Sequence, residues 1–332
     1  MSKKEIEKEK KFRLKVLTAP HIKASGSMPR MMWTTMISLI FPAAAAVYFF
    51  GSRILLMILV CVLSAVFGEV LCTLLRGRKV QVTDGSAFVT GTLLALILPP
   101  SFSFVHAAGA SFLSICIAKH IFGGLGENIF NPALVGRAFL AAAFPIMITT
   151  YDVVPRSLST VNEDTVTSAT PLNRARFEGE KLDASENMPA FMLGEMKGSA
   201  GETSGVMILL GLALLLYTKT ADWRLPLSYF SSFTVLSSLL WLVSPGKFLN
   251  PILALFTGGV LFGGTYMVTD PVTTPVNGRG KWIFGVSAGA LTVIIRNFSG
   301  YAEGVLFSIL LMNALTPMIN RYTSPRIYGH EN

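Results

Sequence analysis

Residues 54–75 read ILLMILVCVLSAVFGEVLCTLL, an apolar run interrupted by one charge, Glu69, and closed by Arg76. A helix of about 20 residues crosses the hydrocarbon core of a bilayer, and this run is long enough to do so. Inside lipid its peptide groups have no water to bond, so a helix is the form it takes. The stretch decides the fold class because the chain keeps repeating it. Further apolar blocks lie at about 31–50, 85–98, 103–121 and 132–149, and then at 204–218, 226–244, 250–268, 282–297 and 302–319. The expected fold is an all-α integral membrane protein of about ten transmembrane helices.

Composition agrees with that reading. Of 332 residues 52% are hydrophobic and 14% charged, against about 25% charged in ordinary soluble domains, which excludes a cytosolic enzyme. The net charge of +9 would raise nucleic acid as a partner in a soluble protein. Here nine of the 28 basic residues lie in the first 30, and residues 1–11 hold eight charges of both signs, so a solvated tail is expected and no nucleic-acid partner. The apolar run begins only at Met31, after a tail too long and too charged for a cleavable signal peptide.

Putting the amino terminus inside collects most short-loop basic residues on that side and leaves Arg53, Lys247 and Arg296 outside. That bias is what the positive-inside rule demands. The expected organisation is a cytoplasmic tail (1–30), a first five-helix repeat (31–149), an external loop (150–203), a second five-helix repeat (204–322) and a cytoplasmic tail (323–332).

Cys61, Cys72 and Cys116 all fall inside apolar blocks with no CxxC pair, and His21, His106, His120 and His330 are scattered. Neither a disulfide framework, an iron–sulfur site nor a metal site is expected. Block 85–98 is short, begins at Asp84-Gly85 and ends at Pro99-Pro100, while block 250–268 carries Thr257-Gly258-Gly259 and Gly263-Gly264-Thr265 before Asp270-Pro271. Gly and Pro at corresponding places predict interrupted helices. Thr90-Gly91-Thr92 echoes Gly263-Gly264-Thr265, and Asn131-Pro132-Ala133-Leu134 echoes Asn313-Ala314-Leu315. A duplicated five-helix unit would place its second copy upside down, giving two inverted repeats.

The 54-residue stretch 150–203 is long for a connection, and such loops tend to be functional or disordered. It contains Asp164-x-x-Thr167-Ser168-Ala169-Thr170. Taken alone this is turn and capping chemistry. It also resembles the flavinylation motif of RnfD, the D component of the Rnf ion-translocating oxidoreductase complex, and of its relative NqrB in the sodium-pumping NADH:quinone reductase. Three more stretches are similar to the same family: Asp84 to Leu94, Gly123 to Arg137, and Met267 to Pro275. The likeness spans about residues 20 to 322, and the length favours the Rnf member.

The resemblance implies that Thr170 carries FMN through a phosphoester, attached by a dedicated flavin transferase on the external face. Asp164, Thr167 and Ser168 are then motif positions that bind the transferase or its metal, or else solvated loop residues. Ser168 stands where the family often has Gly, which bears on loop conformation and not on the acceptor. A second, non-covalent flavin such as riboflavin is also implied, without assignable ligands. So is the context: a six-membered Rnf assembly (A, B, C, D, E and G) passing electrons between ferredoxin and NAD, coupled to Na+ or H+ export.

Intramembrane charges are costly and mark ion paths. Glu69, about one turn from Thr73, is the best placed, followed by Asp84, Glu127, Asp270 and Glu303. Glu69 is either an ion- or proton-carrying group or the structural partner of Arg76 or Arg137. Asp270 is either on the path or a helix-end cap. Arg137 either holds a flavin or quinone-like group or ties broken backbone carbonyls together. The competing functions are an NqrB-like component of a sodium-pumping quinone reductase, a small-solute channel on the same inverted plan, and an assembly scaffold.

Overall fold

The computed structural model describes residues 27–78, 82–151, 172, 184–194, 198–245, 248–300 and 304–324. All ten apolar blocks are helical within them, and no strand occurs among the described residues. Helix α1, Met28–Phe50, starts at Ser27, whose hydroxyl oxygen accepts the Arg30 amide at 3.4 Å, with Pro29 in the first turn where no partner is lost. It stops at Gly51, whose φ of 79° turns the chain directly into α2, Ser52–Leu75. Next come α3 (Ser86–Ile97), α4 (Phe104–Leu113, continued by a π-helical segment, Ser114–His120), α5 (Pro132–Ala143) and α6 (Pro145–Thr149).

Beyond the polar stretch lie α7 (Ala184–Leu193), α8 (Gly205–Tyr217), α9 (Arg224–Val243), α10 (Pro251–Phe256), α11 (Val260–Phe262, continued by π-helical Gly263–Met267), α12 (Gly278–Phe298) and α13 (Val305–Thr323). By length and composition α1, α2 and α9 can each cross a membrane. On α2 the lipid-facing side is explicit: Leu55, Leu59, Leu63 and Phe67 recur every fourth residue and are all exposed, while Met57, Cys61 and Ala65 behind them are buried. A stripe that apolar and that exposed needs lipid to cover it, so the chain is a multi-pass membrane protein.

The interruption expected in the eighth block is present. Thr257 is extended, Gly258 has φ 62°, and helix resumes at Val260. The third block corrects the expectation, because α3 is unbroken over all 12 residues. It is short because Leu98 turns extended ahead of Pro99-Pro100, the conformation that a following proline imposes. Every residue of α3 except Phe88 is buried, which makes it the central element of the first half. Gly91 is what lets it in: a methyl there would lie 2.7 Å from the Val62 Cα and 2.8 Å from the Cys61 carbonyl of α2.

Lipid is as apolar as leucine, so membrane helices associate through small residues and interhelical hydrogen bonds rather than hydrophobic drive. Helices α2 and α4 with its π segment pack with a constant offset of 44 residues. Ser64 donates to the Ala108 carbonyl (2.6 Å), Gly68 faces Phe112, Cys72 meets Cys116, and Arg76 donates to the His120 carbonyl (2.7 Å). Contacts at every fourth residue with a positive offset mean that the two run in the same direction, ridge against ridge. Helices α9 and α12 behave alike: Gly285 faces Ser228 and Gly289 faces Ser232, a constant 57 residues apart. Helix α1 packs on α8 and α5 on α13, which joins the two sequence halves.

Candidate functional site

Two polar centres sit at the two ends of α3, and the rise of an α-helix over the 11 steps from Ser86 to Ile97 separates them by about 16 Å. The first gathers around Lys119, at the end of the π-helical segment. Its side chain is only 2% exposed, and its ammonium donates to Glu69 Oε2 at 2.6 Å and Ser86 Oγ at 2.7 Å, with Asp84 Oδ2 at 3.9 Å. His120 Nε2 lies 3.2 Å from the same Glu69 oxygen. Asp84 Oδ1 in turn accepts from both the amide and the hydroxyl of Ser86 (2.9 and 2.8 Å) and so starts α3. The π segment matters here: successive Lys119 and His120 both reach one carboxylate, which the widened turn permits.

The expected structural partners of Glu69 are therefore corrected. Neither Arg76 nor Arg137 pairs with it; Lys119 and His120 do. Arg76 is taken up by the His120 carbonyl, one step along the α2–α4 seam, while Arg137 lies at the other end of α3. In the sequence Lys119 counts among the basic residues of the inner side. Its position inside an apolar block, like that of the lone acid Glu69, is the signal that would have paired them, because each charge is tolerable there only with the other.

Lys119 and Ser86 also line a narrow cavity of about 40 Å³ between the two sequence halves. Its wall includes Thr90, Asn128, Asn131, Tyr266 and Asp270. On the other side of the ion pair, Glu69, Thr73, Arg76, Asp84, His120 and Glu127 line an open vestibule of about 420 Å³. Glu127 is exposed at its edge, behind Gly123, where any side chain would run into the Glu127 carboxylate. The Glu69–Lys119 pair thus stands as a wall between vestibule and cavity.

Asp270 faces the cavity from the second half. It caps the chain after the π segment by accepting the Val272 amide (3.1 Å) and the Thr273 hydroxyl (3.2 Å), as the cap reading has it. It also accepts from Asn131 Nδ2 at 3.1 Å, a bond across 139 residues that ties the halves together. Asn131 itself caps α5 through the Ala133 and Leu134 amides.

The second centre lies where α3 stops. A helix ends with carbonyls that have no intrahelical partner, and in lipid these must be met by side chains. Arg137 donates to the Ile97 carbonyl at the end of α3 at 2.6 Å and lies 3.8 Å from Glu202. Arg296 does the same for the eighth block, donating to the carbonyls of Ala254 (2.8 Å) and Thr257 (3.0 Å) on either side of the α10 terminus. Glu202 and Arg296 were not singled out from sequence. Leu172 is buried against Gly258 at this break. Asp164, Thr167, Ser168, Thr170 and Glu303 lie outside the described residues. His106, partly buried, packs edge-on against Phe144 with ring centroids 4.4 Å apart.

The chain matches known proteins along nearly its whole length. A model of the NQR2, RnfD, RnfE family covers residues 15–329. The D component of the proton-translocating ferredoxin:NAD(+) oxidoreductase complex of Clostridium ljungdahlii is 38% identical over 323 residues, which is 95% of this chain and 96% of the relative. Its counterpart in the Na(+)-translocating ferredoxin:NAD(+) oxidoreductase complex of Acetobacterium woodii is likewise 38% identical, over 95% of both chains. The D component of an ion-translocating oxidoreductase complex from Stutzerimonas stutzeri is 37% identical over 92% of this chain and 93% of its own.

Proposed function

The chain belongs to the NQR2, RnfD, RnfE family, and from that premise we propose that it is the flavin-carrying membrane subunit of an Rnf-type ferredoxin:NAD+ oxidoreductase. Electron transfer through the assembled complex is coupled to translocation of Na+ or H+, and the other Rnf subunits are its partners. Coverage of nearly the full length of the RnfD-type relatives favours this role over that of an NqrB-like quinone-reductase component. The observation that carries the reading is the buried Glu69–Lys119–His120 cluster standing between a vestibule and a cavity. Moving one charge against the membrane potential takes about 2.3 kcal/mol per 100 mV, and a path for it needs an ionisable group held away from lipid. A carboxylate suits either ion.

FMN is attached at Thr170 by phosphoester, with Asp164, Thr167 and Ser168 forming the rest of the acceptor motif. What supports this is the motif together with Leu172, two residues downstream, which is buried at the Gly258 break close to Arg296. When bound, a flavin supplies a one- or two-electron relay whose reduction builds negative charge. The second, non-covalent flavin is assigned to the cleft between the halves by the chemistry of its lining, and the cleft must widen to admit the ring. Asn128, Asn131 and Thr90 offer hydrogen bonds to a polar ring edge, and Met32, Val89 and Leu93 offer apolar contact to its faces.

The membrane arrangement is ten helices in two inverted five-helix repeats, both termini cytoplasmic and residues 150–203 external, in a bacterial cytoplasmic membrane. Supporting it are the two parallel helix pairs with constant offsets, the Asn-Pro starts of α5 and α10, and the matched arginines at the ends of α3 and α10. The test is mass spectrometry of the subunit purified from cells that express the flavin transferase. One FMN phosphoryl adduct on Thr170, absent in Thr170→Ala, is expected. An unmodified Thr170 in those cells overturns the covalent-flavin reading.

A further inference from the structure

The α2–α4 seam that positions Glu69 also brings two thiols together. Cys72 Sγ and Cys116 Sγ lie 3.0 Å apart, while Cys61 is buried a register away with its carbonyl accepting the Ser111 hydroxyl at 2.6 Å. The pair is held from both sides by the constant offset of 44 residues. Gly68 against Phe112 precedes it and Arg76 on the His120 carbonyl follows it, so the two backbones that carry the sulfurs are held in register. Both cysteines are only partly buried, so a small uncharged reagent reaches them. An S–S bond is about 2.05 Å long, and closing to it takes about 1 Å of side-chain motion along a contact already made.

We propose that Cys72 and Cys116 form a two-electron redox site that a hydroperoxide oxidises to a disulfide. One thiol sulfur attacks the peroxide O–O bond, giving a sulfenic acid and releasing an alcohol, or water where the oxidant is hydrogen peroxide. The second thiol then attacks the sulfenic sulfur, the S–S bond forms, and the hydroxyl leaves as water with the second thiol's proton. Two thiols and one hydroperoxide thus give one disulfide, one alcohol and one water; the two electrons that leave the sulfurs reduce the peroxide bond. A dithiol reverses the bond by exchange.

The cross-link has a consequence for the site. Cys72 follows Glu69 by three residues and Cys116 precedes Lys119 by three, so the bond fixes the two backbone segments that carry the ion pair. The oxidised protein therefore loses ion uptake if Glu69 must exchange partners during turnover. That consequence rests on the ion-path reading above, whereas the sulfur chemistry does not.

Membranes containing the intact complex are treated with tert-butyl hydroperoxide, then denatured, alkylated with a maleimide and digested. The expected result is loss of two alkylatable thiols, a linked Cys72–Cys116 peptide, an unchanged Cys61, and full reversal by dithiothreitol. Cys72→Ser and Cys116→Ser should each abolish the linked peptide. Electron-driven ion uptake should fall in the oxidised wild type, recover with dithiothreitol, and stay insensitive to peroxide in Cys72→Ser. Two thiols still open to alkylation, or a sulfinic acid at one cysteine without the link, overturn the redox site. A linked peptide with undiminished ion uptake overturns its control over the Glu69 pair and leaves the covalent flavin at Thr170 unaffected.

Discussion

Removing Lys119 alone should be far more damaging than removing Lys119 and Glu69 together. At 2.6 Å, and with an effective dielectric of about 20, the two charges attract by about 6 kcal/mol. Taking each ion out of water costs several kcal/mol, so the intact pair contributes little net stability. Breaking it is another matter: Lys119→Met strands a buried carboxylate with only His120 beside it, at a cost of about 3–5 kcal/mol. Glu69→Gln leaves the ammonium with Ser86 and, at 3.9 Å, Asp84, so its cost should lie near about 3 kcal/mol. The double variant, with a neutral amide facing a thioether chain, should fall within about 1 kcal/mol of wild type, giving a coupling of at least about 5 kcal/mol. Unfolding in mixed micelles titrated with a denaturing detergent measures all three. Ion uptake driven by electron transfer should be lost in both single variants and not recover in the double, with covalent flavin content unchanged. A coupling below about 1 kcal/mol would refute the buried pair. Unaltered ion uptake by Glu69→Gln across a range of Na+ and pH would remove Glu69 from the path.

Gly91→Val should destabilise the protein by about 1–3 kcal/mol or more, because the new side chain meets α2 backbone that cannot yield; Gly109→Ala, where nothing lies within 4 Å, should be neutral or stabilising, and thermal unfolding in detergent separates them. In the loop between α8 and α9, burial pushes the Asp222 carboxyl up. The Lys281 hydrogen bond at 2.8 Å, the Arg224 amide and the two positive charges outweigh that and hold it below the usual value. A carboxyl lowered in the folded state contributes stability that is present above about pH 4 and lost as pH falls through the folded value. For a partly exposed pair that contribution is at most about 1 kcal/mol, so Asp222→Asn should lower the melting midpoint slightly at neutral pH and flatten its fall below about pH 4. An identical acid profile in wild type and Asp222→Asn would dismiss the interaction.

Hydrophobic run length alone located the helical blocks, since the bilayer sets one span length for every segment. The predicted 54–75 and observed Ser52–Leu75, or 204–218 and Gly205–Tyr217, differ by a residue or two at their ends. Gly and Pro marked where helix stops, at Pro99-Pro100 and Thr257-Gly258, because those residues restrict backbone torsions locally, whereas the stop at Phe144-Pro145 inside the block read as 132–149 went unmarked. What they left open was whether a short block is broken within or merely ended; α3 turned out to be ended, since the carbonyls freed after it are met by Arg137 from another helix.

Charged residues were legible as candidates and not as partners. Glu69 stood out for its cost in an apolar run, yet its neighbours Lys119 and His120 come from 50 residues away, and only the parallel packing of α2 on α4 with its π-helical turn brings them to one oxygen. The same holds for Asn131 on Asp270, Arg296 on the α10 terminus and Cys72 on Cys116. Transfer to lipid is a property of each residue in turn, so the linear chain carries it and the class of fold follows. Ion pairing, capping across halves and sulfur contact depend on the direction and register of helices in three dimensions, and those are set by where small residues let one backbone approach another.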